Sequence, residues 1–124
     1  INPCTPILKP EDLNKSYSLI QSSDSDFVYS IAEYPHPIFR AMRQDQDAKM
    51  KFIFYEFELA RTQDLEITYH DAGQFYWGKS EAWSKNERMH KAGIGMLFPS
   101  WRFVDIDTED DWHRAELIFN SGQT

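Results

Sequence analysis

The most constraining stretch of this sequence is its end, where Arg102 to Ile106 runs into Thr108-Glu109-Asp110-Asp111. Arg102 to Ile106 is short and rich in β-branched and aromatic residues, as in a buried strand. A threonine followed by acids, with a carboxylate three residues on, starts a helix. The hydroxyl caps an orphan amide, and the acids suit the positive end of the dipole. Trp112, Ala115 and Ile118 or Phe119 then follow at helical spacing, and Gly122 is placed to stop the helix. Gly95 to Phe98 reads as another short strand. Short buried strands leading into helix starts predict an α/β sheet domain.

The same alternation appears upstream. Lys9-Pro10-Glu11-Asp12 opens a helix, carried on by Leu13, Tyr17 and Ile20 and ended by Ser22-Ser23-Asp24-Ser25. Phe27 to Ala32 reads as a strand, broken by Tyr34-Pro35-His36-Pro37. Ile38 to Met42 and Lys51 to Tyr55 read as two strands joined across Gln44-Asp45-Gln46-Asp47, an antiparallel excursion from a parallel core. Leu59 to Thr68 has no clean period and is expected as loop, Gly73 to Trp77 as strand, and Ser80 to Trp83 as a short helix.

At 124 residues the chain suits one domain, spanning residues 1–124. Acids outnumber bases 20 to 13, and the net charge of −7 repels a phosphate backbone, which argues against nucleic acid as a partner. No apolar run approaches the ~20 residues that span a bilayer, and Pro3, Pro6 and Pro10 interrupt any signal-like start. Cys4 has no second cysteine to bridge, which fits a reducing compartment. The expectation is a cytoplasmic protein with no membrane partner. The chain opens at Ile1 as though within the tail of a strand, which predicts a piece of a longer protein.

Two places carry chemistry. Phe103-Val104-Asp105-Ile106-Asp107 alternates, so on a strand Asp105 and Asp107 share a face, ~6–7 Å apart at their backbones. Spacing alone favours a solvated pair. Placement just before an N-cap, on an otherwise apolar run, favours convergence on one hard cation. Magnesium needs only one or two carboxylates beside substrate phosphates, and ligands of open α/β sheets sit beyond strand ends.

The second place is Arg61-Thr62-Gln63-Asp64-Leu65 with Tyr69-His70-Asp71-Ala72-Gly73-Gln74-Phe75-Tyr76-Trp77-Gly78. Arginine for a carboxylate, amides for hydroxyl and acetamido groups, and rings for apolar faces suit an acidic sugar. Singly, each residue has a plainer role: Phe75 and Tyr76 as core, His70 as a hydrogen-bonder near a turn, Arg61 as a partner of Asp64.

Taken together, these blocks resemble the pseudaminic acid cytidylyltransferases. The closing Asp105-Ile106-Asp107-Thr108-Glu109-Asp110-Asp111-Trp112, with Ala115-Glu116, resembles a motif shared with the wider sialic acid cytidylyltransferases. Asn2-Pro3-Cys4-Thr5-Pro6 and Pro10-Glu11-Asp12-Leu13 stand where that family has a loop and a helix. Sialic acid enzymes commonly carry a second arginine where this chain has Thr62, and Arg-Pro-Asn-Gly where it has His70-Asp71-Ala72-Gly73. Both differences lean towards pseudaminic acid, with a related sugar such as legionaminic acid still open.

The resemblance implies a partial Rossmann-like nucleotidyltransferase sheet, like that of nucleotide-diphospho-sugar transferases, with residues 38–68 as a β-rich dimerisation excursion. It implies CMP transfer from CTP to a nonulosonic acid, magnesium held by Asp105 and Asp107 as catalytic carboxylates, and a homodimer or higher self-association. Sugar contacts are expected from Asn2, Arg40, Arg61, Gln63, His70, Asp71, Gln74 and Tyr76. The family's Arg- and Lys-containing glycine-rich CTP loop has no counterpart here, since Gly93-Ile94-Gly95 is too short. The chain alone is therefore expected to lack turnover, with the chemistry belonging to the complete protein. The alternative is a stand-alone, non-catalytic α/β module that binds an acidic sugar or only self-associates.

Overall fold

The computed structural model of the chain describes residues 1–122. In chain order its elements are α1 (Pro10–Ser22), β1 (Phe27–Glu33), β2 (Met42–Gln44), β3 (Met50–Phe52), β4 (Tyr69–Gly78), α2 (Ser80–Ser84), α3 (Met89–Ala92), β5 (Gly93–Phe98) and α4 (Glu109–Asn120). Short 3₁₀ turns lie at Ile38–Arg40, Tyr55–Phe57 and Thr62–Asp64. The protein is mixed α/β and forms two compact units: Ile1–Ala32 with the chain from Asp71 onward, and Glu33–His70.

In the first unit β1 is the centre of a three-stranded sheet ordered β4-β1-β5. β1 and β5 run parallel, from Phe27 against Gly93 to Ala32 against Phe98. β4 runs the other way. Lys79 N–H donates to the Asp26 carbonyl at one end of the pair, and Tyr34 N–H to the Thr68 carbonyl at the other, each at 3.0 Å. The sheet is therefore mixed. Gly93 and Gly95, set aside above as a phosphate loop, are rungs of β5; a Cβ at Gly93 would lie 2.4 Å from the Tyr29 ring.

Packing follows the apolar pattern. Ile20 of α1 meets Val28, Phe75 and Phe98 in one core, flanked by Leu13 and Leu19. The Trp77 indole donates to buried Ser16 Oγ at 2.8 Å, so a polar helix residue fixes α1 on the sheet. Asp12 closes the start of α1 by accepting the Lys9 N–H at 3.1 Å, and also pairs with the Arg102 guanidinium.

The largest correction concerns Arg102 to Ile106, which forms no strand: Arg102 lies in a turn and residues 103–106 have no regular secondary structure. After β5 the chain turns, with Arg102 N–H donating to the Pro99 carbonyl at 2.9 Å. Val104 and Ile106 then bury against Ile7, Ala115 and Ile118. Loop and helix side chains meet Val104 and Ile106 where a buried strand was expected. The α4 start is as expected: Thr108 Oγ1 accepts the Asp111 N–H at 3.3 Å, and Asp111 Oδ2 accepts the Thr108 N–H at 2.9 Å. Ala115 faces the core, whereas Trp112 and Phe119 are exposed. Gly122 has a φ of +67°, as a helix stop requires.

In the second unit β2 and β3 form an antiparallel hairpin, Met42 opposite Phe52 and Gln44 opposite Met50. Asp45 Oδ1 accepts the N–H groups of Asp47 and Lys49 and shapes the turn. The excursion is thus a hairpin, but shorter than Ile38 to Met42 and Lys51 to Tyr55. Following two prolines, Ile38–Arg40 coils into a 3₁₀ turn, and Tyr55–Phe57 coils likewise. Phe39 packs against Phe54 and Phe57 beneath them. Among the described residues no helix is long and apolar enough to cross a membrane.

Candidate functional site

Gly73 organises the site. Its φ of +64° is open to glycine at little cost and resets the side-chain phase of β4. In a regular strand Asp71 and Tyr76, five apart, would face opposite sides. Here the Tyr76 hydroxyl donates to Asp71 Oδ2 at 3.0 Å, while Asp71 Oδ1 accepts the Gly73 N–H at 2.8 Å. Asp71 Oδ2 also lies 2.7 Å from Nε2 of His90, brought in by α3.

The acidic segment reaches the same glycine. An ideal Cβ on Gly73 would be 3.4 Å from Asp105 Oδ2 and 3.9 Å from Asn2 Nδ2, so both side chains lie over the space that glycine leaves open. Asp105 has its proton affinity raised, first by burial and then by the charges of Asp107, Asp111 and Asp71. Asp111 is held below the usual carboxylate range, chiefly by the Thr108 hydroxyl, which donates to it at 2.7 Å. Burial and the Asp71 hydrogen bond push the Tyr76 phenol up to about 12.

The corner is rich in negative charge. The hydrogen bonds given above run to the carboxylates of Asp71 and Asp111, and Asp107 joins the cap through its backbone N–H. The side chains of Asp105 and Asp107 therefore offer hard oxygen donors in a field made negative by their neighbours, which suits magnesium. Among the described residues no three His, Cys, Asp or Glu side chains converge as a ready-made metal centre. A magnesium ion that keeps its waters and shares substrate phosphates does not need one.

The expected site residues divide. Asn2, Asp71, Tyr76 and Asp105 come together around Gly73, and Asp107 follows on the same segment. Asn2 is tied in by its N–H to the Gln74 carbonyl at 3.1 Å. Gln74 is 1% exposed, and its amide donates to the carbonyls of Ala72 at 2.7 Å and Val104 at 3.4 Å. Its place is beneath the site, joining β4 to the acidic segment.

Arg40, Arg61, Gln63 and His70 belong to the second unit. Arg40 ties a loop there, donating to the carbonyls of Glu58 at 3.1 Å and Ala60 at 2.9 Å, with its guanidinium 5.2 Å from the Phe52 ring centroid. Arg61 and Gln63 are exposed around the 3₁₀ turn, and the His70 ring is 4.9 Å from that of Tyr34. His90 was not anticipated. A four-residue helix leaves no periodic signal, and Asp71 is 19 residues away.

No protein-family model matches the chain. Similarity to curated proteins is extensive. Two pseudaminic acid cytidylyltransferases of Campylobacter jejuni, from serotypes O:2 and O:23/36, are each 30% identical over 115 residues, 92% of this chain and 50% of theirs. A Helicobacter pylori protein named as both a pseudaminic acid cytidylyltransferase and a UDP-2,4-diacetamido-2,4,6-trideoxy-β-L-altropyranose hydrolase is 29% identical over 80 residues, 64% of this chain and 15% of its own length. The chain thus spans about half the length of the Campylobacter relatives it matches.

Proposed function

We propose that this chain, homologous over nearly its whole length to the carboxy-terminal half of pseudaminic acid cytidylyltransferases, supplies the sugar- and metal-binding part of an enzyme with that activity. The complete enzyme transfers CMP from CTP to the anomeric hydroxyl of pseudaminic acid, or a closely related nonulosonic acid, and releases pyrophosphate in the cytoplasm. The mixed sheet is then part of a Rossmann-like nucleotidyltransferase sheet, and residues 38–68 are a dimerisation excursion. The observation that carries the proposal is the 30% identity sustained over 92% of the chain.

The geometry supports this reading. Asp105 and Asp107 are the carboxylates that would hold magnesium. A metal held there would supply charge to offset the phosphates and would make the sugar hydroxyl easier to deprotonate. Asp71, anchored by the Gly73 N–H and the Tyr76 hydroxyl, holds a fixed place beside the sugar. Asn2 brings amide donors for the sugar's carboxylate or acetamido oxygens. Sugar-binding roles for Arg61, Gln63 and His70 belong to the same proposal and rest on the sequence resemblance.

The test supplies the complete protein with CTP, magnesium and pseudaminic acid. CMP-pseudaminic acid and stoichiometric pyrophosphate are expected. Product with another nonulosonic acid alone would correct the sugar, and no product with any would sink the transferase reading.

A further inference from the structure

His90 is a chemically active side chain that the structure adds to this corner. Its partner Asp71 is set in place independently of it, by the Gly73 N–H at 2.8 Å and the Tyr76 hydroxyl at 3.0 Å. The imidazole is oriented from a second side by Tyr29 of β1, which meets it edge-on with ring centroids 5.0 Å apart. Tyr29 fits there because Gly93, the residue after α3, has no Cβ to meet its ring. Despite both contacts, the histidine side chain is 60% exposed. It is held in orientation and open to a ligand.

The hydrogen bond decides the chemistry. An ionised carboxylate only accepts, so the ring nitrogen facing Asp71, Nε2, carries the proton. Nδ1 then keeps its lone pair. A histidine oriented by a carboxylate, with its second nitrogen open, has the arrangement of a general base. The same Asp71 adjoins Gly73, over which Asp105 lies. The carboxylate that orients the base and the acidic segment therefore both meet this one glycine.

We infer that His90 is the general base of the transfer, with Asp71 as its positioning residue; this rests on the cytidylyltransferase reading above. The sugar's anomeric oxygen attacks the α-phosphorus of the nucleoside triphosphate. The new P–O bond forms as the bond to the β-phosphate's bridging oxygen breaks. The hydroxyl proton passes to His90 Nδ1, and pyrophosphate leaves with the electron pair of the broken bond. Asp71 holds the reactive tautomer and stabilises the imidazolium that results.

The experiment uses the complete protein and compares His90→Ala, His90→Gln and Asp71→Asn, with CTP and pseudaminic acid as substrates. Both histidine variants should lose about 10²–10⁴-fold in kcat, with the sugar KM little changed. Added imidazole should restore turnover in His90→Ala, which a merely structural role would not allow. Should His90→Ala not fold, His90→Gln, which keeps a donor to Asp71, decides on kcat alone. Independently of turnover, long-range ¹H–¹⁵N spectra should show the His90 proton on Nε2. Undiminished kcat in either variant, loss in His90→Ala that imidazole does not restore, or a proton on Nδ1 would each overturn the inference. An inactive wild-type protein would instead overturn the transferase reading, and this inference with it.

Discussion

Tyr76 donates its hydroxyl to Asp71 at 3.0 Å although the two stand five residues apart on one strand. An odd separation puts side chains on opposite faces unless the backbone changes phase, and Gly73 between them, at φ +64°, makes that change. The site is therefore built on an irregularity of β4.

The Tyr76 phenol gives this contact a pH signature. Its folded pKa is raised to about 12, by burial first and by Asp71 second, so the fold favours the protonated form. The stabilisation is complete below the unfolded value of about 10 and is lost as pH rises to about 12. Tyr76→Phe should lower unfolding free energy by about 0.5–1.5 kcal/mol at pH 7. The gap from wild type should shrink across this alkaline window, as read by urea denaturation at several pH values. Asp71→Asn should bring the Tyr76 titration, followed by absorbance, back towards the ordinary phenol.

Gly73→Ala should destabilise the protein by about 1–2 kcal/mol, the cost of a left-handed backbone for a residue with a Cβ. The new methyl would meet Asp105 Oδ2 at an ordinary contact distance of 3.4 Å, so the backbone term dominates. Gly73→Asn should cost less, because asparagine visits this region more readily. Equal losses in thermal unfolding for the two variants would contradict this account.

Asp105→Asn should separate stability from function. Burial, then Asp107, Asp111 and Asp71, raise the folded pKa of Asp105, so the ionised form is disfavoured in the fold. Its contribution to stability is present below the unfolded value and is lost as pH rises through the folded one. At neutral pH the asparagine variant should therefore unfold at a higher temperature than wild type. It should also lose any thermal shift with magnesium, and turnover of the complete enzyme should fall by at least ~100-fold.

Gln74→Leu keeps the side-chain volume but removes the donor to the Ala72 and Val104 carbonyls. It should cost about 1–3 kcal/mol in denaturant unfolding, the penalty for leaving buried acceptors unpaired. Reduced sugar turnover should accompany that loss, because the link from β4 to the segment carrying Asp105 is gone. An active Gln74→Leu enzyme would mean that the Val104 packing alone positions Asp105.

Local signals were the legible ones. The Thr108–Asp111 capping box spans four residues and needs no tertiary context, and the apolar runs of β1 and β5 need only a core to enter. The 103–107 segment was half legible. Alternation foretold that Val104 and Ile106 would be buried, but it carries no information about what meets the backbone, and no strand does. Gln74 reads in the sequence as an amide for a sugar group; its burial and its bonds to the Ala72 and Val104 carbonyls depend on the fold. His90 was invisible for want of period or neighbouring partner. Asp71 and Asp105 could be named separately, whereas their meeting over Gly73 depends on the fold.

Val104 has a buried side chain and receives the Gln74 amide on its carbonyl, so the residue before Asp105 is pinned from two directions. Ile106 packs into the same apolar cluster, and the Asp107 N–H joins the Thr108 cap at the head of α4. Asp105 thus rides on a short bridge fastened on both sides of it, and its backbone has little room to give. The reach of that carboxylate is then a matter of bridge length, and inserting or deleting a residue between 104 and 108 would move it while the sheet stays as it is.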